Sequence, residues 1–403
     1  MPHLAASPLG NASNNGAPME PTAISLPSAG IIDDWAGQES IVKNYTASVT
    51  PDIYKAYSAK MDTVRLLAIA SIVWGHSLFG WENIVFIKQS HQVLQSFLMQ
   101  LGRIGTVSFF IISGFFFNRK LQTFTVFTYL RYRFYSLILP WLSFLTFFVL
   151  IQLVQILKLP GLFSNNPIDT VKLIGNLFSA GVFHAAFWFI PVSIFSACLL
   201  IVFKKHLHRL WFGILLSAIT LFYCVNLYHA WVSVNHARSF LGYVLFMWIG
   251  VQLNQHLQQV NGLIKKLPVW VLLPAAALAF ALACREGWVL KSMGCLDSFG
   301  SIRFTNIVLS MLVFLLILKT NRFNWVQALK PQAYIYGVYL VHSILLLCLM
   351  PHLSKFVLQH NIFTSISTSV LLQLVVFAVV IATTYALVFF IKKSRLGFVI
   401  GGR

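Results

Sequence analysis

Residues 61–80 read MDTVRLLAIASIVWGHSLFG, and this stretch decides how the rest of the chain is interpreted. About 20 apolar residues are enough to cross a bilayer as a helix, so the stretch predicts a transmembrane span. It carries Asp62, Arg65 and His76, and ionisable side chains inside a span are costly and usually mark function. At about 100° per residue the three share one helix face, and His76 lies about 16 Å deeper than Arg65.

The same residues have a purely structural interpretation. Arg65 could extend to the membrane interface as an anchor, and His76 could hydrogen-bond a neighbouring helix as a core polar residue. The stretch alone leaves both interpretations open. Polar residues inside other predicted spans favour the functional interpretation.

The composition predicts a polytopic membrane protein. Of the 403 residues, 58% are hydrophobic and only 10% are charged, whereas about a quarter of a soluble domain is charged. The formal charge of +19 is spread between the apolar runs, so it does not indicate a nucleic-acid partner. Only ten residues are acidic, so we expect a histidine rather than a pair of carboxylates as general base.

The five cysteines form no CxxC pair and no Cys/His spacing of a metal site, so no metal is predicted. Cys284 and Cys295 flank one predicted outer loop and could pair in an oxidising compartment. The alternative is that they are small buried apolar residues.

The apolar runs predict an all-α membrane bundle of about ten spans. Residues 1–60 are predicted to be a disordered tail without a signal peptide, ending in an interfacial lead-in over residues 46–60. Residues 61–391 form the predicted membrane domain, and residues 392–403 a short tail. The nine spans predicted after the first are 93–117, 134–157, 184–203, 210–227, 239–256, 268–284, 302–318, 334–351 and 363–391.

Loop charges predict the orientation of the spans. With the N-terminus inside, 19 of the 29 Lys and Arg residues fall in the inner segments and eight, among them Arg303, fall in the outer ones. Positive residues accumulate on the cytoplasmic side of membrane proteins, so both termini are predicted to be cytoplasmic.

Two other predicted spans carry polar groups of interest. Arg103 lies early in the second span, where a buried arginine needs a partner, either an anionic substrate group or a neighbouring helix. Ser113 and Gly114 follow in the same span and would admit either another backbone or a ligand. His342, in the ninth span, either forms a second polar wall of the site or is a core histidine whose hydrogen bonds are satisfied.

Arg131 and Arg133 precede the third span at its predicted inner end. Guanidinium groups suit phosphate oxygens, so the pair could hold a phosphorylated ligand close to Arg65. The alternative is that they only anchor the span at the cytoplasmic surface.

Several segments, in order, resemble the acyltransferase-3 family of integral membrane acyltransferases. Arg65 and His76 are similar to its Arg-x10-His signature, and residues 109–115 (FFIISGF) to its FFxxSGF motif. Residues 187–191 (FWFIP) and 339–342 (YLVH) resemble two further segments. Arg133 and Pro140 resemble the R-x2-R-x3-P pattern, except that Ser136 stands where a second arginine is usual and Arg131 would have to substitute.

The resemblance implies acyl transfer from a cytoplasmic acyl-CoA, usually acetyl-CoA, to a hydroxyl of a cell-surface glycan or its lipid-linked precursor in the bacterial inner membrane. It implies three groups of site residues, which are catalytic (His76, Arg65), donor-binding (Arg65, Arg131, Arg133, Ser113, Gly114) and substrate-binding (Arg103, Trp188, His342). The competing class is a transporter or flippase, which should more often show two related halves. A membrane sensor or scaffold is a third class, and no soluble output domain is evident for it.

Overall fold

The structure is a computed structural model that describes residues 51–78, 89–157, 167–183, 185–233, 237–320, 323–359 and 366–401. Within these ranges every regular element is a helix, which confirms the predicted all-α class. Residues 1–50, which make up most of the predicted tail, lie outside the described residues.

The described ranges contain fourteen α-helices joined by short turns. In chain order they are α1 (Pro51–Ser77), α2 (Gln89–Leu101), α3 (Ile104–Leu121), α4 (Val126–Arg133), α5 (Leu139–Leu157), α6 (Pro167–Phe183), α7 (Phe189–Val202), α8 (Leu210–His229), α9 (Val244–Gln255), α10 (Leu257–Lys266), α11 (Val269–Ser292), α12 (Phe304–Lys319), α13 (Pro331–Gln359) and α14 (Ile366–Lys393). A π-helix leads into α5 (Phe134–Ile138), and 3₁₀ turns lie at Ala186–Trp188, Lys204–His206, Phe240–Tyr243, Asn324–Leu329 and Arg395–Ile400.

The count of ten spans is not confirmed. Six helical stretches of the described chain are long and apolar enough to cross a membrane, or seven if α6 and α7, bent by 68°, form one broken span. Within the described residues the other three predicted spans, 61–80, 239–256 and 302–318, correspond to α1, α9 and α12, but α1 carries the polar residues quoted above and α9 and α12 are short. Sixteen residues, the length of α12, rise only about 24 Å, against a hydrocarbon core of about 30 Å.

Several predicted boundaries are wrong. The interfacial lead-in predicted over residues 46–60 is, from Pro51 onward, already part of α1. The second predicted span breaks into α2 and α3 at Gly102 and Arg103. Helix α11 extends to Ser292 and so includes residues 285–292, the first part of a predicted outer loop. All five cysteines are free thiols in the structure, so Cys284 and Cys295 are not paired.

Helix α3 lies at the centre of the bundle and packs along α1 and α9. Glycines permit the close approach, since a Cβ atom added at Gly114 would overlap the Met247 carbonyl oxygen and one at Gly250 that of Ile111. In the same way, Gly105 faces the Ala68 carbonyl of α1. Small residues at such crossings let helix backbones touch, which is the usual device where lipid removes the hydrophobic drive between helices.

Two apolar clusters flank α1 and α3. One contains Phe110, Phe115 and Phe246 between α3 and α9, and the other contains Val73 of α1 and Val380 of α14. Phe189 packs against both clusters, and the site described below lies beside it. The exposed apolar residues of α5, α8, α11 and α14 form lipid-facing surfaces, as expected of a protein surrounded by hydrocarbon rather than water.

Candidate active site

Two interruptions in the helices border one polar cavity. The first is the turn at Gly102 and Arg103 between α2 and α3, and the second is the 3₁₀ turn Ala186–Trp188 that precedes α7. The cavity has a volume of about 40 Å³, which is room for a few water molecules. Irregular backbone at membrane depth is tolerated where it lines such a cavity, and this often marks a binding site.

Close packing of two glycines positions the first turn. Gly75 of α1 and Gly102 are in backbone contact, and a Cβ atom on either would be crowded by the other. The chain passes tightly over α1 at this point, and hydrogen bonds from Gly102 N to Met99 O (3.0 Å) and from Arg103 N to Gln100 O (3.1 Å) close the turn. The residue after Gly75 is His76, so the turn brings Arg103 and His76 to the same cavity.

His76 and His342 are neighbours across the bundle. Their ring centroids are 5.4 Å apart, and His76, which is half-buried, lines the cavity. His342 is fully buried, with Nδ1 3.1 Å from the Val338 carbonyl oxygen of its own helix. A carbonyl oxygen can only accept, so Nδ1 of His342 carries the proton in this contact, and Nε2 is the nitrogen that accepts.

Arg65 is held by Asp62 and Phe116, and Asp62 is held in turn by Gln332. Arg65 Nη1 donates to Asp62 Oδ1 at 2.6 Å, and the guanidinium lies 4.3 Å from the ring centroid of Phe116. The other carboxylate oxygen of Asp62 accepts from Gln332 Nε2 at 3.1 Å. The predicted shared face of Asp62 and Arg65 is therefore confirmed, and the guanidinium is oriented by an ion pair and an aromatic face.

Arg133 and Arg131 differ in their surroundings. Arg133 lies 5.4 Å from the ring centroid of Tyr132 and 5.8 Å from that of Tyr129. Its Nε is buried and has no hydrogen-bond partner in the described part of the chain. Arg131 is exposed. Of the two, Arg133 is the more buried, and its guanidinium lies beside two aromatic rings.

Ser136 occupies the position at which the sequence resemblance leads one to expect another arginine. It belongs to the π-helix Phe134–Ile138 and is exposed. Its carbonyl oxygen lies close to Gly401, at the end of the last 3₁₀ turn. Ser136, the residue that departs from the pattern, thus lies where the backbone is π-helical rather than α-helical. Such π-helical turns are frequently found at functional sites.

Ser113 and Gly114 lie in the middle of α3, away from the cavity. Ser113 is half-buried, and Gly114 is buried against the backbone of α9. Helix packing accounts for the glycine. Their predicted part in donor binding stays a prediction.

The cavity wall also contains aromatic residues, Trp188 and Tyr339. The Trp188 ring lies 5.1 Å from that of Tyr243, centroid to centroid. Tyr339 Oη donates to the Ala186 carbonyl at 2.5 Å, which ties α13 to the second helix break. These contacts fix this part of the cavity wall, and Phe189 lines the same cavity.

Comparison with protein-family models identifies the family of this chain. The family model described as an acyltransferase domain, that of acyltransferase-3, matches residues 58–391. The chain belongs to the acyltransferase-3 family. Neither the search of curated proteins nor that of solved structures found a match. With its apolar helices, the chain is therefore an integral membrane acyltransferase.

The cavity gathers three of the predicted site residues of this acyltransferase, namely His76, Arg103 and Trp188. His342 lies directly behind His76. Arg65 is eleven residues from His76 on α1, about 16 Å along the axis, and Arg131, Arg133, Ser113 and Gly114 do not line the cavity. The predicted residues thus divide into a set at the cavity and a set away from it.

The sequence did not single out several residues of the acyltransferase that border the cavity or support it. Thr106 and Ser301 line it, and so does Tyr339, which the sequence singled out only as part of the YLVH segment and without a role. Gln100, Arg303 and Asn306 are fully buried beside it. Arg303 was counted as an outer-loop cation, although its position next to an apolar run was a signal that it could be buried. No cluster of metal-ligand side chains occurs in the described residues.

Proposed function

We propose that this membrane acyltransferase moves an acyl group, acetyl by its family resemblance, from cytoplasmic acyl-CoA to a hydroxyl of a cell-envelope glycan or its lipid-linked precursor. One observation carries the proposal. His76 lines a polar cavity next to His342, on the same helix whose inner part holds Arg65 in an ion pair. A titratable base and an oriented cation are thus joined by a single rigid element.

The acyl-CoA donor is proposed to bind where Arg65 and Arg133 lie. Arg65 and Arg133 are each placed beside an aromatic ring, which leaves planar guanidinium groups suited to phosphate oxygens. The thioester would then have to reach about 16 Å along α1 to His76.

The chemistry follows from neutral His76 acting as a general base. The imidazole takes the proton of the acceptor hydroxyl while the oxygen attacks the thioester carbonyl. A C–O bond forms, the C–S bond breaks, and the departing thiolate takes up the proton. Arg103 lines the same cavity, and its guanidinium is proposed to stabilise the negative charge that develops on the carbonyl oxygen.

The acceptor is proposed to bind against Trp188 and Arg103. An aromatic ring offers an apolar face to a sugar ring, and a guanidinium donates to its hydroxyl or anionic groups. His342 lies behind His76, with the two ring centroids 5.4 Å apart. No metal and no nucleic acid takes part in the proposed reaction.

Mass spectrometry of envelope glycans tests the proposed function. A strain that lacks the protein is compared with the same strain carrying the wild-type chain. We expect one acetyl group per glycan repeat to disappear on deletion and to return on complementation. Glycans that keep every acyl group but lose abundance at the cell surface would contradict acyl transfer to a glycan and indicate transport instead.

Arg65→Ala is expected to weaken binding of acetyl-CoA by a few kcal/mol at most, the scale of a lost charge-assisted hydrogen bond. Arg133→Ala should act in the same direction. Calorimetry on purified, folded protein measures this affinity. The matched control is Arg209→Ala, which removes one exposed arginine from another segment predicted to lie inside. Unchanged affinity in Arg65→Ala would contradict its place at the donor site.

The proposed sidedness depends on the predicted orientation. A reporter fused after residue 403 and another inserted at Gly294, in the turn between α11 and α12, are expected to report opposite sides of the membrane. The C-terminal reporter should be cytoplasmic. If the two report the same side, the order of spans from α11 onward is wrong.

A further inference from the structure

A buried hydrogen-bond network lies behind the cavity wall. Its members are Gln100 of α2, Arg303 at the start of α12 and Asn306 of α12, and all three have no exposed surface. Gln100 Nε2 donates to Asn306 Oδ1 at 2.7 Å. Arg303 Nη2 donates to Gln100 Oε1 at 2.5 Å. Both ends of the Gln100 amide are thus used.

Arg303 is anchored by the backbone around it. Its Nη1 donates to Ala283 O at 2.6 Å and its Nε to Gly300 O at 3.2 Å. Its guanidinium carbon lies 5.6 Å from the ring centroid of Phe299. A buried arginine with its donors engaged on neighbouring segments fixes those segments relative to one another.

Asn306 connects this network to the cavity. Its Nδ2 donates to Ser301 O at 2.8 Å and approaches Arg103 O at 3.3 Å. Ser301 and Arg103 both line the cavity. One amide nitrogen therefore joins the two backbone segments that form this side of the site, while its oxygen is held by Gln100.

We infer that Asn306 is a positioning residue for acyl transfer, because it holds Arg103 and Ser301 in the geometry that the acceptor meets. This inference rests on the proposed function. A misplacement of about 1 Å at reacting groups can cost about 100-fold in rate. The donor arginines are at the other end of the site, so donor affinity should not depend on Asn306.

Asn306→Ala is the test, with Ser310→Ala as its matched control. Ser310 lies one turn further along α12, is equally buried, and its Oγ has no hydrogen-bond partner among the described residues. Asn306→Ser keeps one donor and serves where the alanine variant is not recovered folded. Each variant is purified and its thermal unfolding recorded. Acetyl-CoA affinity is measured by calorimetry. The rate of acetyl transfer is measured at increasing amounts of an envelope extract of the deletion strain, which supplies the acceptor.

For Asn306→Ala we expect kcat/KM for the acceptor to fall about 10- to 100-fold, with the Kd of acetyl-CoA unchanged and Ser310→Ala like wild type. The kcat/KM of Asn306→Ser should lie between those of Asn306→Ala and the wild type. Folded Asn306 variants with wild-type kcat/KM would overturn the inference. It would also be overturned if acetyl-CoA affinity and kcat/KM for the acceptor fell by the same factor, in proportion to the loss of thermal stability. A wild-type protein without acyl transfer would instead refute the proposed function, and this inference with it.

Discussion

His76→Ala is expected to lower acyl transfer about 10²–10⁴-fold per folded molecule, the range typical of a lost general base. The variant should still fold and still bind acetyl-CoA, because Arg65 and its ion pair with Asp62 lie about three turns away on α1. The measurement is transfer of labelled acetyl normalised to monodisperse protein in detergent. His76→Gln should be comparably inactive, since an amide is not a base at neutral pH.

His342→Ala is the comparison that separates the two histidines. The structure places His342 behind His76, fully buried and hydrogen-bonded to its own helix. Its loss should cost stability and a smaller part of the rate. Near-normal turnover in the His76 variants together with inactive, folded His342→Ala would move the general base to α13.

Gly114→Ala is expected to destabilise the fold by about 3 kcal/mol or more, at the upper end of overpacking in a close-packed core. The added methyl would overlap the carbonyl oxygen of Met247, which is backbone and cannot rotate away. We expect poor recovery of folded protein and a large drop in the unfolding temperature. Fluorescence-detected thermal unfolding in detergent measures the effect.

Gly262→Ala is the control for that substitution. Gly262 lies in α10, and a Cβ atom built there meets no heavy atom within 4 Å. Alanine should therefore be neutral or stabilise the helix by up to about 1 kcal/mol. A Gly114→Ala variant of normal stability that has lost affinity for acetyl-CoA would show that Gly114 belongs to the donor site rather than to helix packing.

The general architecture could be predicted from the sequence because apolar runs of membrane length are strong signals. The runs that became α8, α13 and α14 were predicted within a few residues at one end or both. The number of spans was not predictable in the same way. Helices at the centre of the bundle, such as α1 and α9, contact protein rather than lipid on most sides, so neither length nor hydropathy is constrained by the hydrocarbon core.

The relation of Asp62, Arg65 and His76 was also predictable, because spacing along one helix fixes their relative positions. Their partners were not. Gln332 and His342 are more than 260 residues away in sequence, and helical periodicity carries no information about which helices meet. The proximity of His342 to His76 therefore appears only in the structure.

The buried network of Gln100, Arg303 and Asn306 shows a different limit. From the sequence, Arg303 was assigned to an outer loop, and the turn at Gly102 was assigned to a continuous span. Charge and hydropathy report only the average environment of a segment. Three-dimensional packing makes the arginine a buried donor and the turn a cavity wall. A lone arginine beside an apolar run was the one available sign.

The most direct test of the account is sided acyl transfer in proteoliposomes that contain purified protein and envelope acceptor from the deletion strain. Labelled acetyl-CoA is supplied only to the face that exposes the C-terminus. We expect label to appear in acceptor on the opposite face and CoA to be released in equal amount, and we expect neither with His76→Ala. Label that stays in the thioester with wild-type protein, while the acceptor itself crosses the membrane, would contradict it.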